Sequence, residues 1–247
     1  MNTNFKAAAA AIALVLAGCN GSINSPVVIE DGTRDATASQ TVNGRIRVGD
    51  DVTVTSGSFR SVNGSATVGA RSVVPSISVV NGSIRIGEET RTGELSTVNG
   101  SVILASRVHV GADINTVNGA VTVAEGGEIA GLVSAVNGRI TVQDAVVHGG
   151  IQNVNGGIRL LGATLVHGDV VVRRPRGVSL REERPEVLIE RGVRVEGRLE
   201  FERPVKLRIH REAQVGEIIG AEPEYFGDDD GQSAADADAT DGSADGG

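Results

Sequence analysis

Large aromatic side chains are almost missing from this chain of 247 residues: it has no Trp, one Tyr and four Phe. That scarcity counts against a carbohydrate-processing groove, which normally offers aromatic platforms for sugars, and it suits a narrow core filled by Val and Ile. Cysteine occurs once, at Cys19, and histidine four times, at His109, His148, His167 and His210. These residues do not assemble a thiolate and imidazole ligand set, so no metal and no cofactor is expected. A phosphate-cradling loop, a Gly-x-Ser-x-Gly elbow and a dinucleotide fingerprint are missing too. A polysaccharide lyase or hydrolase would need several carboxylates converging with Arg or Lys in one groove. Asp50, Asp51 and Asp113 are the nearest candidates, but they do not cluster in sequence. No catalytic residue is expected.

What the chain does have is repetition. Val-Asn-Gly occurs seven times, with its asparagines at Asn43, Asn63, Asn81, Asn99, Asn118, Asn137 and Asn155, at spacings of 20, 18, 18, 19, 19 and 18 residues. Regular self-similarity of this kind marks a repeat architecture. Four residues before each Asn stand Ser39, Phe59, Ile77, Leu95, Ile114, Val133 and Ile151, followed each time by a polar residue. Three residues after it stand Ile46, Ala66, Ile84, Val102, Val121, Ile140 and Ile158, and five after it Val48, Val68, Ile86, Leu104, Val123, Val142 and Leu160. Alternation of period two with β-branched residues is the signature of strands with one buried face.

Each unit therefore predicts a strand ending in Val, an Asn-Gly corner, a second strand of about five residues and a looser third segment. Three strands and three corners in 18 to 20 residues predict an all-β fold: a single-stranded parallel β-solenoid of about 18–19 residues per coil, coils about 4.8 Å apart. Crossover chirality favours a right-handed coil. A hairpin meander is the competing architecture, because Asn-Gly is a strong hairpin signal. Such a meander needs two turns per period, and only one corner has hairpin chemistry. The strict six-residue subperiod of left-handed hexapeptide helices is missing as well. In a solenoid the seven Asn amides stack as a structural ladder, expected in a buried corner and hydrogen-bonded from coil to coil. The corner glycines Gly44, Gly64, Gly82, Gly100, Gly119, Gly138 and Gly156 are expected to supply a positive φ.

The rest of the chain divides by composition. Residues 1–18 combine a Lys, an Ala-rich apolar run and small residues, which reads as a secretory signal rather than a membrane span. Residues 19–38 look like a flexible tether, 39–169 like regular coils, 170–220 like irregular or capping coils with an insertion near 173–185, and 221–247 like a disordered acidic tail carrying seven Asp. Residues 171–211 hold 12 Lys or Arg against seven Glu. Within them Arg173, Arg174 and Arg176 are candidates for contact with an anionic headgroup or polymer. The bland alternative is a mixed-charge outer face that blunts an exposed edge. His148 and His167 occupy matching places in adjacent coils, which predicts surface imidazoles about 5 Å apart.

Leu16-Ala17-Gly18-Cys19 resembles the lipobox of bacterial lipoproteins. The resemblance implies cleavage before Cys19, a diacylglyceryl group on its thiol and acylation of the new amino terminus. With Asn20 following, it implies the outer membrane of the cell envelope. Thr-Val-Asn-Gly-Arg-Ile-Arg-Val and Val-Val-Asn-Gly-Ser-Ile-Arg-Ile resemble the adhesin-type β-solenoid domain of bacterial envelope proteins. The Ala-x-Val-x-Gly-x-Ile phrase of the second half is similar to bactofilins, polymer-forming proteins with triangular β-helices. Together these imply a non-catalytic, lipid-anchored envelope protein for adhesion or scaffolding. Its expected partners are the membrane, an envelope protein or polysaccharide, and a second copy through the solenoid ends, but not nucleic acid. An end-to-end assembling structural protein and a polysaccharide-acting β-helix enzyme are the alternatives.

Overall fold

The computed structural model describes residues 21–22, 24–175 and 184–227. It is a parallel β-solenoid: two sheets of eleven strands and one of eight, each taking every third strand of the chain in sequence order, with every pairing parallel. Among the described residues there is no helix. One coil runs through Leu95–Asn99, Val102–Leu104 and His109–Val110, and the next repeats it at Ile114–Asn118, Val121–Val123 and Glu128–Ile129. Register holds residue by residue, so that Asn81, Asn99, Asn118 and Asn137 pair in succession. At about 4.8 Å per coil, eleven stacked strands make a rod about 48 Å long.

The inward rows are the ones the alternation marks. Ile77, Leu95, Ile114, Ile84, Val102, Val121, Leu104 and Val123 are all buried to 1% exposure or less. Burying each such side chain contributes about 1.5–3 kcal/mol before chain entropy is counted. The third sheet adds its own inward column, Val74, Thr92, Val110, Ile129, Val147, Val166 and Val195. Its strands are only two residues long, which lets the loops around them absorb the differences in repeat length. The 20-residue spacing falls where Ala36–Thr37 and Val54–Ser56 pair as a separate two-stranded sheet, whose register shifts near Gly57 at φ 91°. The 29-residue separation of paired Ile158 and Val187 places a second insertion between Val172 and Glu186, where composition anticipates it.

Three expectations need correction. The solenoid is longer than residues 39–220. Val27–Ile29 pairs with Ile46–Val48 at one end, so the expected tether forms a coil; Pro223–Phe226 pairs with Lys206–His210 at the other. The corner glycines do not supply positive φ: of the seven only Gly82 has one, 159°, at the border of extended backbone. Their requirement is closeness. A Cβ on Gly64, Gly100, Gly119, Gly138 or Gly156 would fall within 3.0 Å of the carbonyl of the corner glycine one coil earlier, nearer than real Cβ atoms come. Positive φ belongs instead to the next corner, where Gly32, Asp51, Arg71, Glu89, Arg107, Gly126, Asp144 and Gly162 stack with φ between 47° and 69°. Lastly, the seven Asn side chains are exposed, not buried.

Candidate functional site

The chemically capable side chains are arranged as ladders on the outside of this rod. In the main one each Asn amide donates to the amide oxygen one coil earlier: Asn63 to Asn43, Asn81 to Asn63 and Asn99 to Asn81 at 2.8 Å, Asn118 to Asn99 at 2.9 Å, Asn137 to Asn118 and Asn155 to Asn137 at 2.8 Å. The ladder has two further members outside the Val-Asn-Gly repeat. Asn24 accepts from Asn43 at 2.6 Å, and the Arg203 guanidinium donates to the Asn155 oxygen at 3.0 Å. Asn24 stands 19 residues before Asn43 and eight before Gly32, so spacing alone was enough to find it. Arg203 reaches its place from a coil 48 residues away and leaves no sequence signal.

Behind five of the seven Val-Asn-Gly rungs a buried polar side chain ties one coil to the last; behind Asn81 and Asn137 the same place is held by Val79 and Ala135. Thr41 donates to the carbonyl of Ser25, Ser61 to that of Gly44, Thr97 to Gly82, Thr116 to Gly100 and Asn153 to Gly138, at 2.8–3.1 Å. These residues are at most 3% exposed, whereas the Val that follows each of the first four faces outward and is half-buried. At these five places the buried side chain gives the closely stacked corner carbonyl a donor, which offsets the cost of burying the hydroxyl or amide.

The acids that invite comparison with polysaccharide-cleaving enzymes have structural partners. Asp50 Oδ1 accepts from the Ala70 N–H and Asp113 Oδ1 from the Leu132 N–H, both at 2.8 Å. Asp31, Asp144 and Asp169 make the same coil-to-coil bond. Asp51 takes both guanidinium arms of Arg71 at 2.8 and 2.7 Å, and that hydrogen bonding holds its carboxyl below the usual range. A shallow groove of about 400 Å³ lies over the third sheet between Arg71, Arg91, Arg107 and His109; its acid, Glu89, is engaged by Arg107 at 2.8 Å.

A column of imidazoles and carboxylates runs along the third sheet. His109 Nδ1 and His148 Nε2 reach opposite oxygens of Glu128 at 3.2 and 3.1 Å, and His167 Nδ1 reaches Glu196 at 2.7 Å. The His148 and His167 rings stack with centroids 5.0 Å apart, as their matching places predict. Hydrogen bonds from His148 and then His109 hold Glu128 below its ordinary value, and His167 does the same to Glu196. Among the described residues no group of three or more His, Cys, Asp or Glu is placed to hold a metal ion.

Of the candidate anion contacts, Arg173 is paired with Glu202. Arg174 donates its backbone N–H to the same carboxylate at 3.0 Å and its Nε to the Glu202 carbonyl at 3.2 Å. The Arg174 N–H, ahead of Arg173, lowers the Glu202 carboxyl. Glu202 thus holds the Arg173 guanidinium through its carboxylate and the Arg174 guanidinium through its carbonyl. Arg176, Cys19 and the signal, and most of the acidic tail lie outside the described residues. The class of protein these features define is a parallel β-solenoid braced by side-chain ladders. No family model, curated protein or solved structure matches the chain.

Proposed function

We propose that this chain is a lipid-anchored protein of the bacterial cell envelope whose β-solenoid serves as a rigid scaffold or adhesion rod rather than as an enzyme. One observation carries the scaffold part. The carboxylates, amides and hydroxyls of successive coils are spent on bonds to the next coil, from the Asn ladder to the Asp bonds on backbone N–H groups and the Asp51–Arg71 pair. Groups used in this way stiffen a rod along its axis. The anchor rests on Leu16-Ala17-Gly18-Cys19 and its resemblance to a lipobox. Two or more acyl chains suffice for stable attachment. The test is incorporation of an alkyne-bearing fatty acid in cells, followed by membrane fractionation. Wild type should carry the label and sediment with outer membranes; Cys19→Ser should do neither. Label on the Cys19→Ser variant, or none on wild type, would sink the anchor.

End-to-end assembly is a second reading favoured by the coil ends. Val27 and Ile29 at one end, and Val215 and Ile218 at the other, are only partly buried where interior counterparts are sealed. Tyr225 is 53% exposed on the last strand. Sedimentation velocity across a range of concentrations distinguishes a lone rod from a growing stack.

A further inference from the structure

The second sheet presents an outer face whose charge has one sign over seven coils. Its central row, in unbroken register, reads Arg47, Thr67, Arg85, Ile103, Thr122, Thr141 and Arg159. Beside it, two residues earlier in each coil, lie Arg45, Ser65, Ser83, Ser101, Ala120, Arg139 and Gly157. These rows hold five arginines and no acid; the first carboxylate in register with them is Glu186, 3.7 Å from Arg159. Arg45, Arg47, Arg85 and Arg139 are exposed, and among the described residues their guanidinium groups have no hydrogen-bond or ion-pair partner. The contrast with the corner arginines is sharp, for Arg71 and Arg107 are tied to acids one coil earlier.

From this geometry we propose that the second-sheet face binds an acidic polysaccharide, a carboxylate-bearing chain lying along the rod axis. Charge complementarity selects an anion, and the planar guanidinium fork suits carboxylates. The rows select a linear polymer. Arg47 and Arg85 are two coils apart, about 10 Å, and Arg159 follows four coils later, about 19 Å. This spacing meets a charge that recurs along an extended chain. The exposed Asn ladder borders the same face, and each amide keeps a second N–H for sugar hydroxyls. A membrane surface fits less well, since Ile103 is the one large apolar side chain on these rows. Recognition here is by charge and hydrogen bonding, so the scarcity of aromatic rings does not oppose it. Nor does the net charge of −8, because the field felt at the face is set by nearby charges and decays over about 10 Å at 0.1 M salt.

The inference deepens the scaffold reading by naming a partner class, and it rests on that reading only for its setting. Loss of lipid attachment would leave binding by the purified chain intact, and failure to bind would leave lipid attachment intact. The experiment measures binding of the purified chain to polygalacturonate, with dextran as a neutral control and phosphatidylglycerol vesicles as an anionic surface. Wild type should bind polygalacturonate alone, more weakly as salt rises. The combined variant Arg47→Gln, Arg85→Gln, Arg139→Gln should bind at least roughly tenfold more weakly. Arg91→Gln, an exposed change on the third sheet, should bind as wild type does. Circular dichroism checks that the triple variant is folded; if it is not, the Arg→Lys triple, which keeps the charge, replaces it and should retain most of the binding. Wild-type binding no better than to dextran, unchanged binding by the folded Gln triple, equal loss in Arg91→Gln, loss in a folded Lys triple equal to removing the charge, or preference for the vesicles would each overturn the proposal.

Discussion

Asn99 and Gly100 are adjacent, yet the structure assigns them opposite sensitivities, and that contrast tests how the rod is held together. Asn99→Ala removes two ladder bonds, the one Asn99 donates to Asn81 at 2.8 Å and the one it accepts from Asn118 at 2.9 Å. Both neighbours are exposed, so water takes over the freed groups. Of the 0.5–1.5 kcal/mol usual for a net hydrogen bond, each should lose only the lower part, for a total of about 1 kcal/mol. Gly100→Ala removes nothing, but its methyl would lie within 3.0 Å of the Gly82 carbonyl and close against the Ser83 nitrogen. These are backbone atoms held by the flanking pairs Asn81 with Asn99 and Ile84 with Val102, so they cannot move aside singly. Forced separation of two coils should cost at least about 3 kcal/mol, the upper end of overpacking. For a rod of this length 1 kcal/mol moves the melting midpoint by about 2–4 °C. Thermal unfolding followed by circular dichroism should therefore show Asn99→Ala melting about 2–4 °C below wild type and Gly100→Ala more than about 6 °C below. Equal effects, or the reverse order, would refute the account of an exposed ladder over a close-packed backbone corner.

Other substitutions probe the remaining layers. Thr97→Val deletes the hydroxyl that meets the Gly82 carbonyl at 3.0 Å, while Val79 in the same column shows that the space accepts Val. The loss should be about 1–2 kcal/mol by urea denaturation. Ile114→Ala opens a cavity in a fully buried row and should cost about 2–5 kcal/mol in the same assay. Acid should weaken the imidazole column. Glu128 and Glu196 lie below their ordinary value of 4.5, so their contribution is present above that pH and is lost as pH falls through the lowered values. The midpoint of wild type should fall below pH 4.5 by more than that of Glu128→Gln/Glu196→Gln, and the difference should shrink in high salt because these groups are exposed.

Sequence alone determined the coil. Apolar residues at fixed distances from each Asn leave one face to bury, and a period of 18 to 20 residues leaves no room for anything but short strands stacked on their own copies. The inward columns from Phe59 to Ile151, and from Ile46 to Ile158, were legible for that reason. So was the stacking of His148 on His167, since register in a repeat is sequence spacing. Tertiary structure decided whatever depends on the adjacent coil. Thr97 can lie buried while Val98 is half-exposed because its hydroxyl donates to a carbonyl one coil earlier, and hydropathy cannot register that carbonyl. The corner glycines exist for a close approach between coils, which no local φ preference reveals, and the positive-φ corner at Arg71, Glu89 and Arg107 carries charged residues that do not advertise it. The arginines of the second sheet form a face only because parallel register brings Arg47, Arg85 and Arg159 into one row. Local patterning encodes which way a strand faces; only stacking decides what each side chain meets there.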